Sequence, residues 1–184
     1  MNGKNISFVL AFTFLAMVTY GQVYFSRNAT IRFFSEAPLE NIEATNQQVS
    51  CALNTQTGEL AFRVLIRSFS FDKALMQEHF NDNFMHTHEY PNAIFEGQIE
   101  QFDEIDFETD GMHHVMVSGK LTIKDVTREI RESGTLEIID NEIRAHSVFM
   151  VEPEAYNIEI PRRFVRNIAR EIEVRVDATL RPRS

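Results

Sequence analysis

The segment "HVMVSGKLTIK", His114–Lys124, changes from apolar to polar at nearly every step. Val115, Val117, Leu121 and Ile123 alternate in it with His114, Met116, Ser118, Lys120, Thr122 and Lys124. Side chains two apart share a face of an extended chain, so this alternation describes a strand with one buried side. "EIEVRVDATL", Glu171–Leu180, repeats the rhythm: Ile172, Val174, Val176, Ala178 and Leu180 oppose Glu171, Glu173, Arg175, Asp177 and Thr179. "ATIRFF", "QVSCALN", "ELAFRVLIRSF", "NAIFEGQIE", "REIRESGTLEII" and "EIRAHSVFMV" read as further strands. The turn-forming segments "TQTG", "ETDG" and "IIDNE" separate them. About eight or nine strands at short spacing predict an all-β, antiparallel barrel or sandwich rather than an α/β fold.

Two places break the rhythm. From Phe71 to Phe84, Met76, Phe80 and Phe84 recur every four residues, which predicts a helix of about three to four turns with Asp72 as its cap. Near the end, "PRRFVRNIAREI" opens on Pro161, favoured at a first helical position, and predicts a short second helix.

At the amino terminus Lys4 precedes the 13-residue run "ISFVLAFTFLAMV", then "TYGQ". A basic lead, a short apolar run and small residues at Thr19 and Gly21 have the form of a secretory signal cut before Gln22. The run is shorter than the roughly 20 residues a bilayer span requires, so no stable membrane anchor is expected. The expected division is a signal peptide at 1–21 and one domain at 22–184. Loss of Lys4 with the signal leaves 17 basic against 27 acidic residues, from the 18 and 27 of the whole chain, a net charge of −10. Such a balance argues against nucleic acid, whose phosphates need a positive surface. With one cysteine there is no internal disulfide, so burial must hold the domain, and of the chain's 16 Phe the 13 beyond the signal supply apolar surface for it. Monomer and homodimer both remain open.

Candidate chemistry is sparse. "MQEHFNDNFMHTHEYP", Met76–Pro91, carries three histidines among acids and amides. On an unbroken helix His79 and His86 stand about 10.5 Å apart along the axis, too far to share a metal. His86 and His88 would share a face if Pro91 keeps the chain before it extended, which permits loose chelation. No metal site is expected, because neither His-x-x-x-His nor H-E-x-x-H is present and third ligands would have to come from His113, His114 or His146. In "EQFDEIDFETDG" six acids fall between Glu100 and Asp110. Counted from Asp106, a calcium loop's twelfth position is Val117, not the required Glu, so the segment reads as a solvated acidic edge. There is no G-x-S-x-G elbow and no Gly-rich phosphate loop. Cys51 alternates with Val49 and Leu53 and reads as a buried apolar residue. No enzyme and no cofactor is expected.

The order of "TGELAFRVLIRSFSFDKALMQEHFNDNF", "YPNAIFEGQIE", "GKLTIKDVTREI" and "YNIEIPRRFVRNIAREIEVRVDATL" resembles the YceI-like family from about Ala29 to Leu180. "GKLTIKDVT" is similar to that family's G-x-LTI-x-GVT turn, with Asp125 in place of Gly, and "LMQEHF" and "YPNAIFEG" add to the likeness. The family's histidine-bearing amino-terminal strand is not recognisable. The resemblance implies a lipocalin-like antiparallel barrel crossed by a helix, whose lumen holds a long isoprenoid chain in some members. Phe62, Val64, Ile66, Phe95, Ile99, Val115, Val117, Leu121, Phe149 and Val151 would then face inward, with Met76 and Phe80 as a lid. The function expected is an exported carrier of an apolar isoprenoid or lipid chain. The alternative is a barrel filled by its own side chains that serves as an interaction or stress-response module.

Overall fold

The computed structural model describes residues 23–183; the expected signal peptide lies outside them. Among the described residues nine strands are formed: β1 (Val23–Glu36), β2 (Asn41–Asn54), β3 (Glu59–Leu65), β4 (Ser70–Phe71), β5 (Asn92–Ile99), β6 (Gly111–Ile123), β7 (Val126–Ile139), β8 (Glu142–Val151) and β9 (Ile172–Pro182). Every pairing is antiparallel. β1 bonds to both β2 and β9, closing eight strands in the order β1-β9-β8-β7-β6-β5-β3-β2, and β4 adds a short pairing on β2. Of the barrel and the sandwich that the alternation left open, the barrel is present, as the family resemblance implied.

Two hairpins owe their tightness to left-handed turns. Lys124 (φ 47°) and Asp125 (φ 62°) join Ile123 to its partner Val126, and Asp140 (φ 49°) and Asn141 (φ 61°) join Ile139 to Glu142. A two-residue loop with both φ values positive matches the twist of the flanking strands, and Asp and Asn tolerate that region. Where β1 and β2 slip register between Ala29↔Val49 and Ile31↔Asn46, the buried Asn46 amide donates to Leu65 O at 2.8 Å and accepts from Gln48 N.

The barrel is filled at one end only. Leu53, Ile99, Ile143 and Leu180 are fully buried, and cross-strand register stacks them with Tyr24, Leu60 and Ile138 at the end where β2 leads to β3 and β7 to β8. Each such side chain contributes about 1.5–3 kcal/mol by leaving water. The β5–β6 connection stops this end: Phe102, Ile105 and Phe107 pack on the core. Phe102 lies so close over Gly58 that a Cβ there would meet the ring at 2.6 Å. The acidic segment is thus more than a solvated edge, because its apolar residues plug the barrel while its acids face water.

At the other end β7 and β8 part. They pair only from Gly134↔Ser147 to Ile139↔Glu142. Beyond that the short turn Pro153–Tyr156 folds back beside β7, where Arg128 Nε donates to Ala155 O at 2.5 Å.

Three local expectations are corrected. The helix α1 spans Ala74–His79 and runs into a wider, π-type turn, Phe80–Phe84; Phe71 belongs to β4. Lys73 occupies the cap position without a side-chain bond, so Asp72 does not cap. The expected carboxy-terminal helix is a single 3₁₀ turn, Arg162–Phe164, with Pro161 just before it. Its backbone groups are taken elsewhere: Arg166 O accepts from Leu39 N at 3.1 Å and Ala169 N donates to Ser35 Oγ at 2.8 Å. Those bonds tie the segment to the barrel rim in place of a helical ladder.

Candidate functional site: an apolar cavity in the open end

The unfilled end encloses a cavity of about 300 Å³. Its walls come from the inward alternation of the strands: Ile31 and Phe33 of β1, Val64 of β3, Ala93 of β5, Leu121 and Ile123 of β6, Phe149 and Val151 of β8, and Ile172 and Val174 of β9. Its roof has two halves. One is α1 with the turn after it, contributing Met76, His79, Phe80 and Phe84; the other is the irregular segment from Ile158 to Ile168, contributing Ile160 and Phe164. Of 27 lining residues only Ser35, Glu40, His79 and Asn167 have polar side chains.

Aromatic packing fixes the roof. Phe80 lies 5.6 Å from Phe33, 5.7 Å from Phe69 and 5.0 Å from Phe71, ring centre to ring centre, so it seats α1 on the barrel wall. Phe164 lies 6.0 Å from His79 and 5.9 Å from Phe84, wedging the second half against the first. Lys124, at the tip of the β6–β7 hairpin, latches both halves by donating to Phe84 O at 3.0 Å and Asn157 O at 3.2 Å. An ammonium at the carbonyl end of a helical turn is well placed electrostatically. At the rim Lys73 Nζ lies 2.6 Å from Glu40 Oε1; this bond, aided by Asn167, holds the Glu40 carboxyl below its usual range.

Of the residues singled out in the sequence, Val64, Ile66, Met76, Phe80, Leu121, Phe149 and Val151 line the cavity. Phe62, Phe95, Ile99, Val115 and Val117 do not; they pack in the core outside it. Their inward direction was read from alternation, which carries no information about height along the barrel. Ile99 pairs with Val117 toward the plugged end. Phe95 is kept out by a neighbouring glycine pair. Gly97 and Gly119 stand opposite each other, and Cβ atoms there would come within 2.5 Å and 2.8 Å of the Phe95 ring, which covers the bare backbone of both strands. Phe33, Phe69, Ile158, Ile160 and Phe164 were missed. Phe33 lay within a recognised strand, whereas the last three sit in a segment with no period to read.

The histidines diverge. His79 lines the cavity, while His86 and His88 are exposed. The chain between them is not extended: His86 has φ 48° and its carbonyl accepts from both Glu89 N and Tyr90 N at 2.9 Å. Among the described residues no three His, Cys, Asp or Glu side chains converge as metal ligands. Cys51 is buried, and burial pushes its thiol up to about 12, so it stays protonated and weakly nucleophilic at neutral pH.

Known proteins bear on the same architecture. A polyisoprenoid binding domain from Saccharophagus degradans superposes with a TM-score of 0.76 at 14% identity, covering 89% of this chain and 100% of that one. Burkholderia cenocepacia BcnA follows at 0.68 and 16% identity, covering 83% of this chain and 95% of its own. The Campylobacter jejuni YCEI protein gives 0.56 at 12% identity, over 99% and 92%. At such identities the likeness shows the fold alone. No curated protein sequence matches the chain. The model of the YceI-like domain matches residues 21–180, nearly the whole of the chain, which therefore belongs to the YceI-like family.

Proposed function

We propose that this protein is an exported carrier that holds an apolar chain, of isoprenoid or related lipid type, in the hollow end of its barrel. The observation that carries this reading is the cavity itself, whose walls are apolar apart from four side chains, in a barrel whose other end is packed solid. A lumen of about 300 Å³ stands at the small end of ligand pockets. A long chain would fill it with one terminus and leave through the rim. There Glu40, Asn167 and His79 supply the polar groups that can orient a head group. Affinity then comes from apolar area removed from water, about 25 cal/mol per Å². The polyisoprenoid-binding neighbour supports the choice of chain.

The test is to extract purified protein with organic solvent, identify co-purified lipid by mass spectrometry, and titrate isoprenoid alcohols of increasing length. Affinity is expected to rise with length and then level off when the lumen is full. Val174→Gln, which sets an amide in the apolar wall, is expected to abolish the length dependence. Flat affinity across the series and no recovered lipid would refute the carrier reading in favour of an interaction module. Export is tested separately by the mass of the mature protein, which should begin at Gln22.

A further inference from the structure

The rim of the cavity has a surface unlike the rest of this acidic molecule. From Arg162 to Arg170 the sequence "RRFVRNIAR" places four arginines in nine residues with no acid among them, in a chain of net charge −9. Arg162, Arg163, Arg166 and Arg170 are all exposed. Among the described residues none of the four enters an ion pair. Arg163 instead lies over the Phe164 ring at 4.8 Å. Among them Val165 stands 58% exposed, and so does Leu39, held beside it by the bond from Leu39 N to Arg166 O. Two exposed aliphatic side chains, with four arginines outside any ion pair on the same short segment, form a surface whose complement is apolar beneath and anionic above.

We propose that this face, Leu39 with Arg162–Arg170, docks the cavity mouth onto an anionic lipid bilayer. A bilayer suits it because guanidinium groups pair with lipid phosphates at the level where Leu39 and Val165 enter the acyl boundary. Acids bound the patch and set its orientation. Glu159 and Glu171 flank the arginine run, Glu40 is neutralised by Lys73, and Leu75, exposed on α1, lies one turn from Glu78 and marks the limit of the face. The placement deepens the carrier reading, on which its purpose rests. Phe164, between Arg163 and Val165, is the wedge that joins the two halves of the roof, so contact with lipid acts on the residues that close the lumen. A chain passing between bilayer and barrel would then avoid crossing water.

The experiment is co-sedimentation of the purified protein with vesicles of phosphatidylcholine alone and of phosphatidylcholine with phosphatidylglycerol, at low and high salt. Isoprenoid titration in solution runs in parallel on every variant. Binding is expected only to the anionic vesicles and to weaken with salt. Arg163→Glu combined with Arg166→Glu should lower vesicle affinity by about tenfold or more, because it exchanges attraction for repulsion at the surface. Val165→Asp should also lower it, and Lys120→Glu on the barrel wall should not. None of these positions lines the cavity, so uptake of the isoprenoid from solution should persist in all of them. Equal binding to both vesicle types, no binding to either, or wild-type binding by the double charge reversal would overturn the proposal. Loss of isoprenoid uptake by the unaltered protein would instead strike the carrier reading.

Discussion

The same substitution made at two heights of the barrel should have very different costs. Leu53 and Leu121 both face inward, but Leu53 is fully buried in the plugged end, whereas Leu121 is part-exposed and borders the cavity. Leu53→Ala removes about three carbons' worth of transfer free energy, near 2.4 kcal/mol at 0.8 per group, and leaves a new void among packed neighbours. The total is about 3–4 kcal/mol, within the range of buried leucine truncations. Leu121→Ala enlarges a space that already exists and forfeits contacts on one side only, for about 1 kcal/mol. Urea unfolding, followed by circular dichroism, measures both costs provided the slope against denaturant is unchanged. The melting temperature should fall by about 10 °C for Leu53→Ala and by a few degrees for Leu121→Ala. Costs that agree within about 0.5 kcal/mol would show that the two levels are equally packed, and the half-hollow barrel would be refuted.

Other expectations follow from single contacts. Gly119→Ala would drive a methyl to 2.5 Å from Glu96 O and Gly97 Cα, so it should destabilise by about 2 kcal/mol or more, read in the same urea titration. Lys124→Met keeps the aliphatic stem but removes both bonds of the roof latch; it should cost about 1–2 kcal/mol and speed amide exchange in Ala74–Phe84 and Ile158–Ile168 ahead of the barrel. Cys51, buried and protonated, should react with a thiol reagent at pH 8 only as fast as the protein opens, and at once in denaturant. Glu132 is raised above its ordinary value of 4.5 by burial alone, so the folded state holds its proton more tightly than the unfolded chain. Stability should therefore fall as pH rises through and above 4.5, and Glu132→Gln should flatten that part of the profile and stabilise the protein at pH 7.

Much of the wall was legible and most of the roof was not. Period-two alternation separates inside from outside, and it placed Val64, Leu121, Phe149 and Val151 on the inner face. It is silent about height along the axis, which is why Ile99 and Val115, equally inward, belong to the solid end. Phe95 stands outside the cavity lining for a different reason: its ring turns onto Gly97 and Gly119, a pairing that appears only when β5 and β6 are in register. Ile160 and Phe164 lie in a segment held by Ser35 and Leu39 from the far end of the chain. Long-range bonds of that kind leave no local pattern. Lys124 marks the opposite case, since its left-handed backbone belongs to the hairpin turn while its side chain serves the roof.

β1 is bonded on one side to β2, which follows it at once, and on the other to β9, the last in chain order of the described strands. The β6–β7–β8 meander can form as soon as its own residues are available, through two tight turns, but the ring cannot close until the final strand has emerged. Closure must pay the entropy of bringing distant segments together before their contacts reward it, which makes it a slow step of folding. During that interval the inner faces and the unpaired edges of β1 and β8 are bare. A chain stopped before Ile172 would therefore not be a smaller barrel but an open, sticky sheet, a substrate for chaperones and proteases.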